Sequence, residues 1–174
     1  MDKQLRRIRN GDEKAFEKLF SQYYPQLCAF AVNILDSREL AKDCVQEVFL
    51  KIWRNRENWQ INYSVSVYLY QAVRNQALNR IEKRNTSRDY TQKYYEQGFH
   101  EREEEEVSPE KAKLVAKVWE VAETMPRRRR MVFELHRKHG LSYKEIAYVM
   151  DITRKTVENH MGQALQDIRE KLDA

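Results

Sequence analysis

Apolar side chains recur at intervals of three and four through most of this chain, and the pattern fails over one long stretch, residues 86–109, which has almost no aliphatic side chain. The recurring pattern is that of α-helices with one buried face. The stretch where it fails contains Glu103 to Glu106 in a row and cannot bury enough surface to offset the entropy of ordering it. The expected fold is therefore all-α: two small helical domains, residues 10–85 and 110–172, joined by a flexible acidic linker over 86–109. Only 4 Gly and 3 Pro occur in 174 residues, which disfavours a many-turned β-sandwich and any glycine-rich phosphate loop.

Residues 12–35 carry Phe16, Leu19, Phe20, Tyr23, Leu27, Phe30, Ala31 and Ile34 as one helical stripe, with Pro25 expected to kink or break it. Asp36 and Ser37 form a capping turn. A second helix over 38–54 buries Leu40, Ala41, Cys44, Val45, Val48, Phe49 and Ile52. Arg54 to Ser66 loses the period and reads as a loop, after which Tyr70, Val73, Ala77, Leu78 and Ile81 restore it. In the second domain, Ser108 and Pro109 start a helix carrying Leu114, Val115, Val118, Trp119 and Ala122, and Met125-Pro126 breaks it. A helix from Arg127 to Lys138 follows, closed by Gly140 as a left-handed cap.

Ser142 caps a short helix with Ile146, Ala147 and Met150 facing inward. Asp151-Ile152 turns, Thr153 caps again, and a longer helix buries Val157, Met161, Ala164, Leu165, Ile168 and Leu172. Two helices this short, joined by so brief a turn, form a helix-turn-helix, whose second helix suits a major groove. At 100° per residue, its outer face carries Lys155, Thr156, Asn159 and Gln163, with Arg154 beside them. Asn and Gln pair bidentately with adenine, while Lys and Arg reach guanine or phosphate.

Net charge is +5, but its distribution matters more. Residues 1–85 carry 15 basic and 10 acidic side chains, residues 86–110 carry 3 and 8, and residues 111–174 carry 14 and 9. Two basic lobes flanking an acidic strip fit a nucleic-acid partner. In the first lobe, Gln71, Arg74, Asn75 and Asn79 are expected to be exposed beside a loop bearing Trp59, Ile61 and Tyr63. Amides and cations beside aromatic rings suit unpaired bases, although the aromatics equally suit a cap on the lobe's own core. Arg127 to Arg130 puts four cations at a helix N-terminus, against the dipole, which phosphates or an acidic surface nearby would explain.

Cys28 and Cys44 lie among apolar residues without metal-ligand spacing and read as reduced buried thiols of a cytoplasmic protein. No apolar run approaches the roughly 20 residues of a membrane span, and the charged start lacks a signal-peptide core. His136 and His139 have no third ligand placed with them, and no activated nucleophile is visible. No catalytic residue, metal, cofactor or small-molecule substrate is expected.

The strings Asp43-Cys44-Val45-Gln46-Glu47-Val48-Phe49-Leu50-Lys51-Ile52-Trp53, Tyr68-Leu69-Tyr70-Gln71-Ala72-Val73-Arg74-Asn75-Gln76-Ala77-Leu78-Asn79, Tyr143-Lys144-Glu145-Ile146-Ala147 and Lys155-Thr156-Val157-Glu158-Asn159-His160 together resemble an extracytoplasmic-function sigma factor of bacterial RNA polymerase. The resemblance covers both lobes. It implies that the first lobe, region two, binds the clamp helices of the largest polymerase subunit through Asp43, Gln46 and Glu47. It also implies that the following loop, Asn58 to Ser66, traps a base flipped from the minus-ten element, and that Arg74, Asn75 and Asn79 contact the melted strand. The second lobe, region four, would read the minus-thirty-five element and dock on the flap of the second-largest subunit. A membrane-linked anti-sigma factor is the off switch the family implies. The turn position before Ile152, commonly Gly in the family, is Asp151 here, a residue that tolerates left-handed backbone. The alternative is a stand-alone helix-turn-helix transcriptional regulator, since the Lys-Thr-Val-Glu-Asn-His string also resembles response-regulator output domains. The first 85 residues, however, show no strand-helix alternation.

Overall fold

The computed structural model describes residues 2–86 and 109–172, and it falls into two compact units. Eight α-helices and one short 3-10 turn lie in these residues, with no strand among them. The expected linker falls outside the described residues apart from its two ends: Thr86 is the last residue of a helix and Pro109 the first of the next.

The first unit contains α1 (Asp2–Arg9), α2 (Glu13–Leu35), α3 (Arg38–Arg54), the 3-10 turn Arg56–Asn58 and α4 (Val65–Thr86). Helices α2, α3 and α4 pack on one another in pairs. Their shared core holds Leu27, Phe30 and Ala31 from α2, Ala41, Val45 and Phe49 from α3, and Leu69, Tyr70 and Val73 from α4. Phe30 meets Tyr70 edge to face at 5.1 Å, a geometry worth about 0.5–1.5 kcal/mol beyond the area it buries. Cys44 is buried and its thiol donates to the Val73 carbonyl at 3.7 Å, while Cys28 is only half-buried. Burial pushes the Cys44 thiol up to about 11, so it is no nucleophile at neutral pH.

Helix α1 extends the first unit upstream of residue 10, where the sequence pattern begins. Its Ile8 is fully buried, and Asp12 ties it to α2, accepting from the Ala15 N–H at 3.0 Å and from Arg7 Nε at 2.7 Å. Backbone and guanidinium donors together hold the Asp12 carboxyl below its ordinary range. Pro25 does not break α2, which runs unbroken from Glu13 to Leu35. The proline is exposed, so the carbonyl it deprives of a partner faces solvent, and Gln26 Nε2 donates to the Gln22 carbonyl at 3.4 Å beside it. Asp36 ends the helix in the left-handed region at φ 53°, and Ser37 caps α3 by accepting from the Leu40 N–H at 3.3 Å.

The second unit contains α5 (Pro109–Glu123), α6 (Arg127–Arg137), α7 (Tyr143–Met150) and α8 (Arg154–Leu172). Its core gathers Ala122, Val132, Phe133, Leu135, Ile146, Val149, Val157, Met161 and Ala164. Val149, not Ala147, is the third buried position of α7, and Ala147 is half-buried. Leu114, Val115 and Leu165, expected inside, are 52%, 41% and 40% exposed. Gly140 is left-handed at φ 67°, as its place after α6 demands. Asp151 adopts φ 53° and ψ 52°, so the turn keeps the geometry glycine would give it. Asp151→Val, which puts a β-branched side chain in that region, is expected to cost about 1–2 kcal/mol, whereas Asp151→Gly leaves stability unchanged or raises it. Urea denaturation of both variants checks this, and a Val variant as stable as the parent contradicts it.

Candidate nucleic-acid interface

Helix α3 turns Asp43 and Gln46 to solvent, with Gln46 Nε2 donating to the Tyr24 hydroxyl at 3.5 Å. Leu50, one turn further on, is 53% exposed, a residue that the sequence pattern alone did not single out. Glu47 differs from its neighbours because it is already paired. Its carboxylate accepts from Arg80 Nη2 of α4 at 2.9 Å and from Lys51 Nζ at 3.2 Å, and the Arg80 hydrogen bond leads in holding it below the usual carboxylate range. Glu47 therefore binds α3 to α4, while Asp43 and Gln46 present themselves outward.

Between the C-terminal half of α3, the loop and the first half of α4 lies a cavity of about 360 Å³, lined among others by Lys51, Asn55, Asn58, Trp59, Tyr68 and Gln76. Trp59 is 4% exposed and meets Tyr68 edge to face at 5.5 Å, so it takes the core-capping role and is not a ring held out to solvent. Its indole Nε1 is nonetheless buried without a hydrogen-bond partner among the described residues. Ile61 is half-buried and Tyr63 is 45% exposed. Ser64 starts α4 by accepting from the Val67 N–H at 3.2 Å, which sets where the loop ends. Along α4, Asn75 and Asn79 are exposed, whereas Gln71 and Arg74 are half-buried. At 100° per residue, Ala72, Asn75, Gln76 and Asn79 share one face, so the two exposed amides border the cavity wall formed by Ala72 and Gln76.

In the second unit Ser142 and Glu145 form a reciprocal capping box: Ser142 Oγ accepts from the Glu145 N–H at 3.4 Å, and Glu145 Oε2 accepts from the Ser142 N–H at 2.8 Å. Thr153 caps α8, accepting from the Thr156 N–H at 3.1 Å, and its hydroxyl lies 2.9 Å from that of Thr156. The Thr156 hydroxyl is thus engaged in the cap. Arg154 and Lys155 have 71% and 78% of their side chains exposed, with Glu158 at 3.2 Å and 3.9 Å respectively. Asn159 is exposed beside them.

Gln163 Oε1 accepts from Arg129 Nη2 at 2.9 Å, and Arg129 Nη1 also pairs with Asp167 at 2.5 Å. Arg130 pairs with Glu134 at 2.8 Å. Much of the cationic run after Pro126 is therefore explained inside the chain, where Arg129 braces α6 against α8. Burial, together with the charges of Arg129 and Arg128, lowers the His160 pKa from its ordinary value. Burial likewise lowers that of His139 to about 4, so its ring is neutral at pH 7.

The Sigma-70 region 2 family model matches residues 19–87 and the Sigma-70, region 4 model matches residues 116–168. The chain is 30% identical to the RNA polymerase sigma-H factor of Pseudomonas aeruginosa, covering 98% of this chain and 93% of that one. It is 28% identical to the ECF RNA polymerase sigma-E factor of Haemophilus influenzae, covering 97% and 93%. Among solved structures, the sigma factor RpoE of Bartonella quintana, in complex with the anti-sigma factor NepR, has a TM-score of 0.63 at 17% identity over 92% of this chain and 98% of that one. CnrH, in complex with the cytosolic domain of CnrY, has a TM-score of 0.61 at 18% identity over 98% and 95%. These two likenesses establish the fold. With both regions matched in order and a full-length relative at this identity, the chain belongs to the extracytoplasmic-function sigma factors, the non-catalytic subunits that direct RNA polymerase to particular promoters.

Proposed function

We propose a division of labour among the residues of this sigma factor. The outer side of α3 meets the clamp helices of core polymerase through Asp43 and Gln46, with Leu50 as the apolar centre of that contact and Glu47 bracing the helix from behind. The loop through Ile61 and Tyr63, together with Arg74, Asn75 and Asn79, holds the unpaired minus-ten strand, and one flipped base enters the cavity in front of Trp59. Helix α8 reads the minus-thirty-five duplex with Arg154, Lys155, Thr156 and Asn159. Gln163 offers its remaining amide N–H groups, since Arg129 already occupies its oxygen. The second unit also docks on the polymerase flap. The chain works in the cytoplasm, where a membrane-linked anti-sigma factor occludes these surfaces; the anti-sigma factor NepR bound to the similar RpoE supports an anti-sigma partner.

What carries this reading is the cavity between α3, the loop and α4, lined by Lys51, Asn58, Trp59 and Tyr68 and bordered by two exposed asparagines. In the test, the chain assembled with core polymerase receives promoter DNA whose non-template minus-ten bases are replaced in turn by a photoreactive thymine analogue. One position is expected to cross-link within residues 55–76. Cross-links confined to other parts of the chain contradict the assignment.

A further inference from the structure

Helix α4 holds α3 by polar contacts at Leu40, Glu47 and Lys51. Arg80 Nη1 donates to the Leu40 carbonyl at 3.4 Å and Arg80 Nη2 to Glu47 Oε2 at 2.9 Å. One turn earlier on α4, Gln76 Oε1 accepts from Lys51 Nζ at 2.7 Å, and the same Nζ lies 3.2 Å from Glu47 Oε1. Arg80, Glu47, Lys51 and Gln76 thus form one continuous network. Along α3 the held positions span the stretch that carries Asp43, Gln46 and Leu50, all exposed. The buried residues of the two helices include the short side chains of Ala41, Cys44, Val73 and Ala77. Apolar burial of that kind is non-directional, whereas the rigid fork of a guanidinium fixes direction as well as distance. Each Glu47 oxygen already faces a cation, so a further cation brought by a partner meets the repulsion of Arg80 and Lys51 as well as the attraction of the carboxylate.

We propose that Arg80 is a positioning residue for polymerase binding: gripping α3 at Leu40 and Glu47, it sets the rotation at which Asp43, Gln46 and Leu50 meet core polymerase, and Glu47 serves as its anchor and makes no contact with polymerase itself. The proposal rests on the placing of polymerase on α3 above. It adds the residue that aims that face, and it takes Glu47 out of the contact that the family resemblance implies for it. Arg80 lies on the far helix, with 24% of its side chain exposed, so it acts on the partner only through α3. Without it, α3 keeps its apolar contacts but loses two directional ones, and the outward residues are no longer held in one orientation.

The test measures the affinity of the full chain and its variants for core polymerase by fluorescence competition, with a thermal melt of each to show that it is folded. Arg80→Met and Glu47→Arg are each expected to weaken binding at least tenfold. The double variant Glu47→Arg with Arg80→Glu exchanges the charges and keeps the combined length of the pair. It is expected to return to within threefold of the parent, although position 47 then carries the opposite charge, which a direct Glu47 contact could not survive. Val73→Ala, which loosens the same unit from its buried core, is expected to lower the melting temperature and leave the affinity within threefold, separating the aim of α3 from stability. Overturning results are an unchanged affinity in Arg80→Met, an exchanged pair as weak as Glu47→Arg alone, or a loss in Val73→Ala equal to that in Arg80→Met. Asp43→Lys distinguishes the two levels. If it leaves affinity unchanged, the placing of polymerase on α3 falls and the proposal with it; if it weakens binding while the exchanged pair stays weak, the proposal alone is overturned.

Discussion

Lys155→Glu abolishes recognition of the upstream promoter element, with transcription from promoters that depend on it falling by about 100-fold. A single good contact from such a side chain to a base edge is worth about 1–3 kcal/mol, and reversing the charge adds repulsion from the DNA backbone to that loss. The side chain is 78% exposed in the first turn of α8, where a cation opposes the helix dipole and a carboxylate favours it. The substitution therefore leaves the fold as stable as before or slightly more so, and the lost activity cannot be charged to unfolding. A Lys in that position is a small local cost that contact with DNA would explain. Footprinting of the minus-thirty-five region by holoenzyme checks the prediction. Protection retained there contradicts the register assigned to α8.

Asn75→Ala together with Asn79→Ala lowers the fraction of open complex by tenfold or more and leaves the affinity for core polymerase unchanged. Both amides are exposed one turn apart on α4, on the face that borders the cavity, and neither lies among the buried residues that hold α4 to α2 and α3. Alanine is the better helix former by a few tenths of a kcal/mol, so α4 stays intact. Losing two amide contacts of about 1 kcal/mol or more each accounts for the tenfold effect. Permanganate reactivity of unpaired thymines measures melting, and fluorescence titration measures polymerase binding. Undiminished reactivity contradicts the role given to this face.

Much of the fold was legible because its signals are local. Ser37, Ser142, Thr153, Gly140 and Asp151 each govern their own turn, and the cap or left-handed geometry expected at each is present. Ser142 with Glu145, three residues apart, announces a helix start without reference to anything distant. The discrepancies concern partners that periodicity does not name. Leu114, Val115 and Leu165 sit at helical spacing yet stay exposed. Helix α1 is too short to show a period, and Ile8 is the one residue of it that is buried among those described. Pro25 leaves α2 continuous where it lies on the exposed face of the helix, and exposure is a tertiary property.

The candidate sites were legible to the same degree. The family resemblance pointed to Asp43 and Gln46, and residue type and spacing to Asn75, Asn79, Lys155 and Asn159, all of which face solvent. The same signals could not separate them from Glu47, committed to Arg80 and Lys51, from Gln163, whose oxygen Arg129 holds, or from Trp59, which closes the cavity from within. Each of those commitments joins residues far apart in the sequence, except the Lys51 contact one helical turn away. Leu50 lay inside the Gln-Glu-Val-Phe-Leu-Lys string, and only its exposure distinguishes it from Val48 and Phe49.

In vitro transcription with core polymerase and a promoter library, run with and without this chain, decides whether the chain acts as a promoter-specificity subunit. The expected result is initiation that requires the chain and comes only from templates sharing one minus-ten and one minus-thirty-five element. Initiation at the same promoters without the chain, or chain that binds duplex promoters tightly and specifically on its own while adding nothing to core polymerase, would contradict it.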